Sequence, residues 1–197
     1  MAAVPIPVLA QVPGITPSKQ QKKLPEAPGK LPKVGADRTR GLDFLLGALK
    51  VAPDEASAKH VEARIWALWM QTPSDTAALL MVRAKAAMDA QKMDVALKLL
   101  DAVVKLRPDY VEAWNRRATV YYLQNDYAHS LADIEQVLIR EPRHFGALAG
   151  LGMIMQDLGD DKRALDAFRK ALAVNPYLEK VPDLVKTLTE KVEGRDI

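Results

Sequence analysis

Apolar residues recur along most of this chain at the spacing of one helical face. Leu42, Leu45, Leu46 and Leu49 stand at i, i+3, i+4 and i+7, which puts all four on a single stripe of an α-helix. Pro53 breaks that helix, and Asp54 is placed to cap the next by accepting from its first free N–H groups. The second helix carries Val61, Ile65, Leu68 and Trp69 on one side and stops before Pro73. Toward the C-terminus, Leu178, Val181, Val185, Leu188 and Val192 form another stripe opposite Glu179, Lys186 and Glu190. Pro182 is tolerated there because first-turn N–H groups have no intrahelical partner. That end is predicted to be a polar-backed capping helix.

Between these flanks the pattern repeats. Pro108, Pro142 and Pro176 are 34 residues apart, each after an apolar helical segment. Aligned on them, Leu80, Trp114 and Leu148 share a column, as do Ala84, Ala118 and Gly152, then Ala87, Tyr121 and Met155. Further columns hold Ala96, Ser130 and Ala164; Leu97, Leu131 and Leu165; Leu100, Ile134 and Phe168; Val103, Val137 and Ala171. Small residues at fixed positions let two antiparallel helices approach, and the large ones fill the space above and below. The proline ends the second helix of each pair, since it has no N–H and drives the residue before it out of α geometry.

These columns resemble the tetratricopeptide repeat family, whose 34-residue unit runs W-x2-L-G-x2-Y, then A-x3-F-x2-A, then P. The middle copy matches through Trp114, Ala118, Tyr121 and Pro142, and the third through Leu148, Leu151, Gly152, Ala164, Phe168, Ala171 and Pro176. Arg83 and Arg117 stand where the family often has leucine, and Ser130 where it has alanine. The arginine stems can cover apolar neighbours while their heads reach water. The resemblance implies an all-α, right-handed α-solenoid of antiparallel helix pairs. Its expected parts are a degenerate repeat over 42–76, repeats over 77–110, 111–144 and 145–178, and a cap over 179–192. It also implies a non-catalytic adaptor, similar to exported bacterial members of the family, that binds a peptide or helix of another protein in a concave groove. Carried over by column, the groove residues are Met81, Lys85 and Met88; Glu112, Asn115, Thr119 and Tyr122; and Ala149, Met153 and Gln156. Tyr122 and Met153 are the expected anchors. The lysine and asparagine set with which chaperone-binding members clamp a terminal carboxylate is missing.

Composition narrows the picture further. No glycine occurs between Gly47 and Gly146, which argues for helix over tight-turned sheet. There is no cysteine, which excludes disulfides, cysteine-ligated metals and thiol nucleophiles. No apolar run is long enough to span a membrane as a helix. Residues 1–40 hold seven of the 13 prolines and seven basic against two acidic residues, so they carry +5 of the total +3 and leave −2 for residues 41–197. A slightly acidic body speaks against nucleic acid as a partner. Residues 11–40 read as an extended, basic leader. Its pull on anionic lipid or wall polymer is the alternative function, with the repeats as carrier. Val8-Leu9-Ala10 before Gln11 resembles a secretory cleavage site without its basic flank, so the mature chain is expected to begin near Gln11 outside the cytoplasm, the cytoplasm being the other location.

Chemistry at single residues is sparse. His60, His129 and His144 are not at metal-ligand spacing, and no cofactor site is expected. His129 and Asp133 stand at i, i+4 on the second helix of their repeat, where a solvated ion pair is the expectation. None of the four serines has a nucleophile-elbow setting, and no carboxylate pair stands out. Gly146, Gly150 and Gly152 share one first helix, as close-packing positions or bare patches on the groove. No enzyme is indicated.

Overall fold

The three spaced prolines end three helices in the same way. A computed structural model describes residues 34–194, in which α4 (Met93–Leu106), α6 (Tyr127–Arg140) and α8 (Asp161–Val174) each stop one residue short of the one preceding proline. Arg107, Glu141 and Asn175 lie there at φ −139°, −140° and −125° with ψ 77°, 88° and 97°, because the pyrrolidine ring that follows crowds the α region. A second feature keeps the same period without a shared residue type. Gln91, Asn125 and Gly159 all have positive φ, at 57°, 59° and 77°. The amide after each donates five residues back, from Lys92 to Ala87, Asp126 to Tyr121 and Asp160 to Met155, at 2.8, 2.9 and 2.8 Å. This left-handed wrap closes α3 (Asp75–Asp89), α5 (Val111–Leu123) and α7 (Phe145–Asp157) and turns the chain into the next helix.

Aspartates then start several helices. Asp126 and Asp160 accept from the amides of His129 and Arg163 at 3.2 and 2.9 Å, and Asp54 caps α2 (Glu55–Trp69) from Ser57 at 2.7 Å. These amide bonds hold the three carboxyls below their ordinary value of 3.8. A depressed folded value means the caps stabilise fully above the unfolded value and lose that contribution as pH falls through the folded one. Replacing all three by asparagine, which caps without titrating, is therefore expected to flatten the fall in melting temperature between about pH 5 and about pH 2.5. Equal acid sensitivity by circular dichroism would show that the caps carry none of it.

Among the described residues there are nine α-helices, with α1 (Val34–Lys50) and α9 (Val181–Val192) at the ends, packed in consecutive pairs. Buried Ala84, Ala96, Ala118, Ser130 and Ala164 occupy the small-residue columns. At Gly152 a Cβ would fall 2.5 Å from the Phe168 ring, so the α7–α8 contact requires glycine. One core unites α3, α4 and one face of α5, and another runs from α5 to α9. Val181 and Leu188 bury the inner face of α9, and Arg169–Glu193 (2.6 Å) and Lys191–Asp161 pair it to α8.

The α1–α2 hairpin departs from the expected first place in the stack. Leu42, Leu45, Leu46, Leu49, Ile65 and Trp69 are buried together with Phe145, Leu148, Ala171 and Val174 of α7 and α8, not with α3 and α4. Register explains this: 34 residues before Ala84 and Ala96 stand Lys50 and Glu62, and neither permits the close approach that stacking needs. The hairpin is instead tied to later loops, by Tyr177 Oη to Ala52 O (2.8 Å), Asn175 Nδ2 to Glu62 Oε2 (3.0 Å) and Arg143 Nη1 to Asp43 Oδ1 (2.6 Å). Helix α1 also begins at Val34, inside the segment expected to be leader, since Pro32 is the last proline before it. The cleavage-like segment and most of the basic leader lie outside the described residues.

Candidate functional site

Helices α5 and α7 are the first members of successive pairs and lie side by side. Between them opens a cleft of about 330 Å³. Its floor is made of small residues, Ala118 on α5 and Ala147, Ala149 and Gly150 on α7, with Ile134 of α6 and Ile154 behind them. A Cβ at Gly150 would meet Ile134 Cδ1 at 3.7 Å, an ordinary contact, so the missing side chain leaves usable space. Tyr122 and Leu123 stand on one wall and Met153, 41% exposed, on the other. The polar lining is Asn115, Thr119 and Ser130; Ser130 Oγ is spent on Ala118 O at 2.8 Å and Thr119 Oγ1 on Asn115 O at 3.0 Å. No charged side chain among the described residues lines the cleft. Partial burial raises the Tyr122 phenol, with the Asp157 carboxylate adding to it, so this hydroxyl stays neutral through the physiological range.

Five of the ten residues expected on the groove meet at this cleft: Asn115, Thr119, Tyr122, Ala149 and Met153. The others lie elsewhere. Met81 is 1% exposed and Met88 half-buried, both in the α3–α4 core, where a flexible thioether fills gaps between alanines. Lys85 is exposed and paired with Asp89 at 2.6 Å, and Gln156 is half-buried away from the cleft. Glu112 is 2% exposed and serves the scaffold. It accepts from Arg116 Nε and Asn115 Nδ2, both at 3.1 Å. Gly146 and Gly150, two of the three glycines read as close-packing positions or bare patches on the groove, also line the cleft, and Leu123 is an addition that the columns do not indicate.

Glu112 also links the cleft to the hairpin. Its Oε2 is 3.4 Å from Nε2 of fully buried His144, an electrostatic contact. His144 Nδ1 accepts from the Ala147 amide at 3.1 Å and so caps α7, which leaves the proton of the neutral ring on Nε2. The ring stacks on Trp69 at 4.0 Å and 17°. Trp66 closes over Gly146, where a Cβ would lie 2.8 Å from its ring. Tyr110 Oη completes the seam with a 2.6 Å bond to Met70 O, and burial pushes that phenol up to about 12. Gly146 and Asn115 thus belong both to the cleft and to the structure beneath the hairpin.

Two expectations about charge are corrected here. Asp133 does not pair with His129. It is buried and takes both Nε and Nη2 of Arg117 at 2.8 Å, while His129 Nδ1 bonds Asp126 at 2.6 Å in solvent. A bidentate guanidinium reaching across from α5 outcompetes a neighbour on the same helix. The Arg117 head accordingly does not reach water freely: Asp101 holds its Nη1 at 2.7 Å, and the Trp114 ring lies 5.0 Å from its centre.

The family model described as tetratricopeptide repeat matches residues 81–132 and 124–179. A TPR repeat-containing protein of Rhizobium etli is 39% identical over 153 residues, 78% of this chain and 75% of that protein. Among solved structures, the Sgt2 TPR domain from Aspergillus fumigatus aligns with a TM-score of 0.57 at 22% identity over 62% of this chain and 82% of its own. The first TPR of Spaghetti (RPAP3), bound to the HSP90 peptide SRMEEVD, aligns at 0.58 and 15% identity over 62% and 97%. MamA aligns at 0.57 and 18% over 85% and 88%. These structures share the fold.

Proposed function

The chain belongs to the tetratricopeptide repeat family, and we propose that it is a non-catalytic adaptor that seats a peptide or helix of another protein in the α5–α7 cleft. The observation that carries this reading is an open cleft on the first helices of two stacked pairs, mostly apolar and lined by no charged side chain among the described residues. The RPAP3 domain, a neighbour in fold, holds an acidic peptide. An uncharged cleft suits a different guest, one that inserts an aliphatic or aromatic side chain between Tyr122 and Met153. Glu112 holds the Asn115 amide nitrogen, which leaves its oxygen to accept from the guest backbone. Prebuilt helices bind with little ordering of their own, so the affinity is not spent on shaping the site.

Crosslinked pull-down from the native host, with recovery compared between variants, tests this. Tyr122→Ala is expected to weaken capture by about thirtyfold, the effect of about 2 kcal/mol for a buried aromatic anchor. Gly150→Leu fills the floor and is expected to abolish capture while the helical signal persists. His129→Ala, exposed and away from the cleft, should leave recovery unchanged. Equal recovery by all three at matched stability would remove the cleft as the binding surface.

A further inference from the structure

Helix α3 has two apolar sides. Ala77, Met81, Ala84 and Ala87 are buried against its own core. On the opposite side Leu79 is 52% and Val82 65% exposed, flanked by exposed Ala78 and Ala86. A helix that is apolar all round is ordinarily covered all round. In a stacked array the preceding pair would supply that cover, but α1–α2 is committed to α7 and α8. The far end of the array has no such gap, since α9 closes it.

The composition of this face says what fits it. Asp75, Leu79, Val82 and Ala86 follow one another at intervals of four, three and four, the seam spacing of two helices packed along their length. Asp75 in the first turn and Arg83 two turns later border the stripe, and neither side chain has a partner among the described residues. An anion four residues before Leu79 and a cation four residues after it are self-complementary under a two-fold axis. With that axis at Leu79, an antiparallel second α3 brings each Asp75 opposite the Arg83 of the other copy. Leu79 then packs on Leu79, and the small Ala78 beside it allows close approach. Any other register leaves both charges unmatched.

We propose that the exposed side of α3 is an isologous docking face for a second copy of this chain, with Leu79 on the axis and two Asp75–Arg83 pairs across it. Residue i of one copy meets residue j of the other and the reverse, which closes the assembly at two. One helix face is small beside a standard interface, so the dimer forms with a dissociation constant on the order of tens of micromolar. The face is separate from the α5–α7 cleft and leaves it open.

Sedimentation equilibrium of the full chain reads this directly. The mass of the wild type should climb from 21.7 kDa toward twice that value as concentration rises, across about 1 to 300 µM. Leu79→Glu, which sets two carboxylates on the axis, should stay monomeric throughout. Asp75→Arg and Arg83→Asp should each weaken the dimer by about tenfold or more, and the double exchange should restore it to within about threefold. All these positions are exposed, and circular dichroism confirms each fold; Val82→Lys replaces any variant that fails to fold. A wild type that remains monomeric overturns the proposal and leaves the face to a different protein. A dimer that survives Leu79→Glu, or a double exchange no better than the singles, overturns it equally.

Discussion

Arg117→Met is expected to cost about 3–5 kcal/mol of stability, because it strands a buried carboxylate. Asp133 is buried on α6 and its two oxygens take Nε and Nη2 of Arg117 at 2.8 Å each. The same guanidinium reaches Asp101 on α4 at 2.7 Å and lies over Trp114 and Tyr121 at 5.0 and 5.9 Å. It thereby pins three consecutive helices, and its bond to Asp133 is the largest reason its pKa is raised above the ordinary arginine value. Methionine keeps the packed stem and removes the charge. For a body of this size each kcal/mol shifts the melting temperature by about 2–4 °C, so a fall of about 10 °C is expected by circular dichroism. Asp101→Asn should cost under about 1 kcal/mol, since that carboxylate is 43% exposed. The double variant Arg117→Met/Asp133→Leu should recover most of the loss, because no buried charge is left without a partner and Asp101, which loses its own, is 43% exposed. A double variant as unstable as the single would show that the pair acts through packing alone.

Trp69→Ala is expected to release the α1–α2 hairpin while the array stays folded. Trp69 is buried, stacks on His144 and lies 5.2 Å from Trp66 and 5.0 Å from Phe145. Truncating a buried aromatic of this size typically costs about 3–5 kcal/mol. That loss falls on the interface between the hairpin and α7–α8, because the cores of α3–α4 and α5–α9 are built without α1 and α2. Hydrogen exchange read by mass spectrometry should show amides 38–69 losing protection while those of α5 to α9 keep theirs. Trp69→Phe should retain the stacking at a cost below about 1.5 kcal/mol, as the indole Nε1 has no hydrogen-bond partner among the described residues. Protection retained in the alanine variant would place the hairpin's hold in its polar ties, Tyr177–Ala52 and Asn175–Glu62, instead.

Column arithmetic brings some of the expected groove residues to one cleft and misplaces others. Tyr122 and Met153 line the α5–α7 cleft together with Asn115, Thr119 and Ala149, and a guest at that cleft is the reading proposed above. The same arithmetic assigned Met81 and Glu112 to the surface, and both are buried. For Glu112 the cause is a residue 32 positions away: His144 and the hairpin over it cover that turn of α5 and make the carboxylate an internal acceptor. Met81 sits against α4 because its helix has apolar residues on both sides, and only the neighbours decide which side turns inward.

What the sequence determined by itself is what acts through the backbone within one turn, together with the small-residue spacing inside each pair of helices. Pro108, Pro142 and Pro176 set the ends of α4, α6 and α8 through a clash with the residue before them. Aspartates at 54, 126 and 160 capped the helices that follow, and the alanine and glycine columns set the spacing within each pair. The tertiary structure alone decided where α1–α2 docks, that Asp133 bonds Arg117 instead of His129, and which side of α3 is left uncovered. Each of those is a choice between competing side chains or surfaces on different helices. It turns on which large residues find a matching hollow, as Trp66 does at Gly146, and a repeat period carries no information about that.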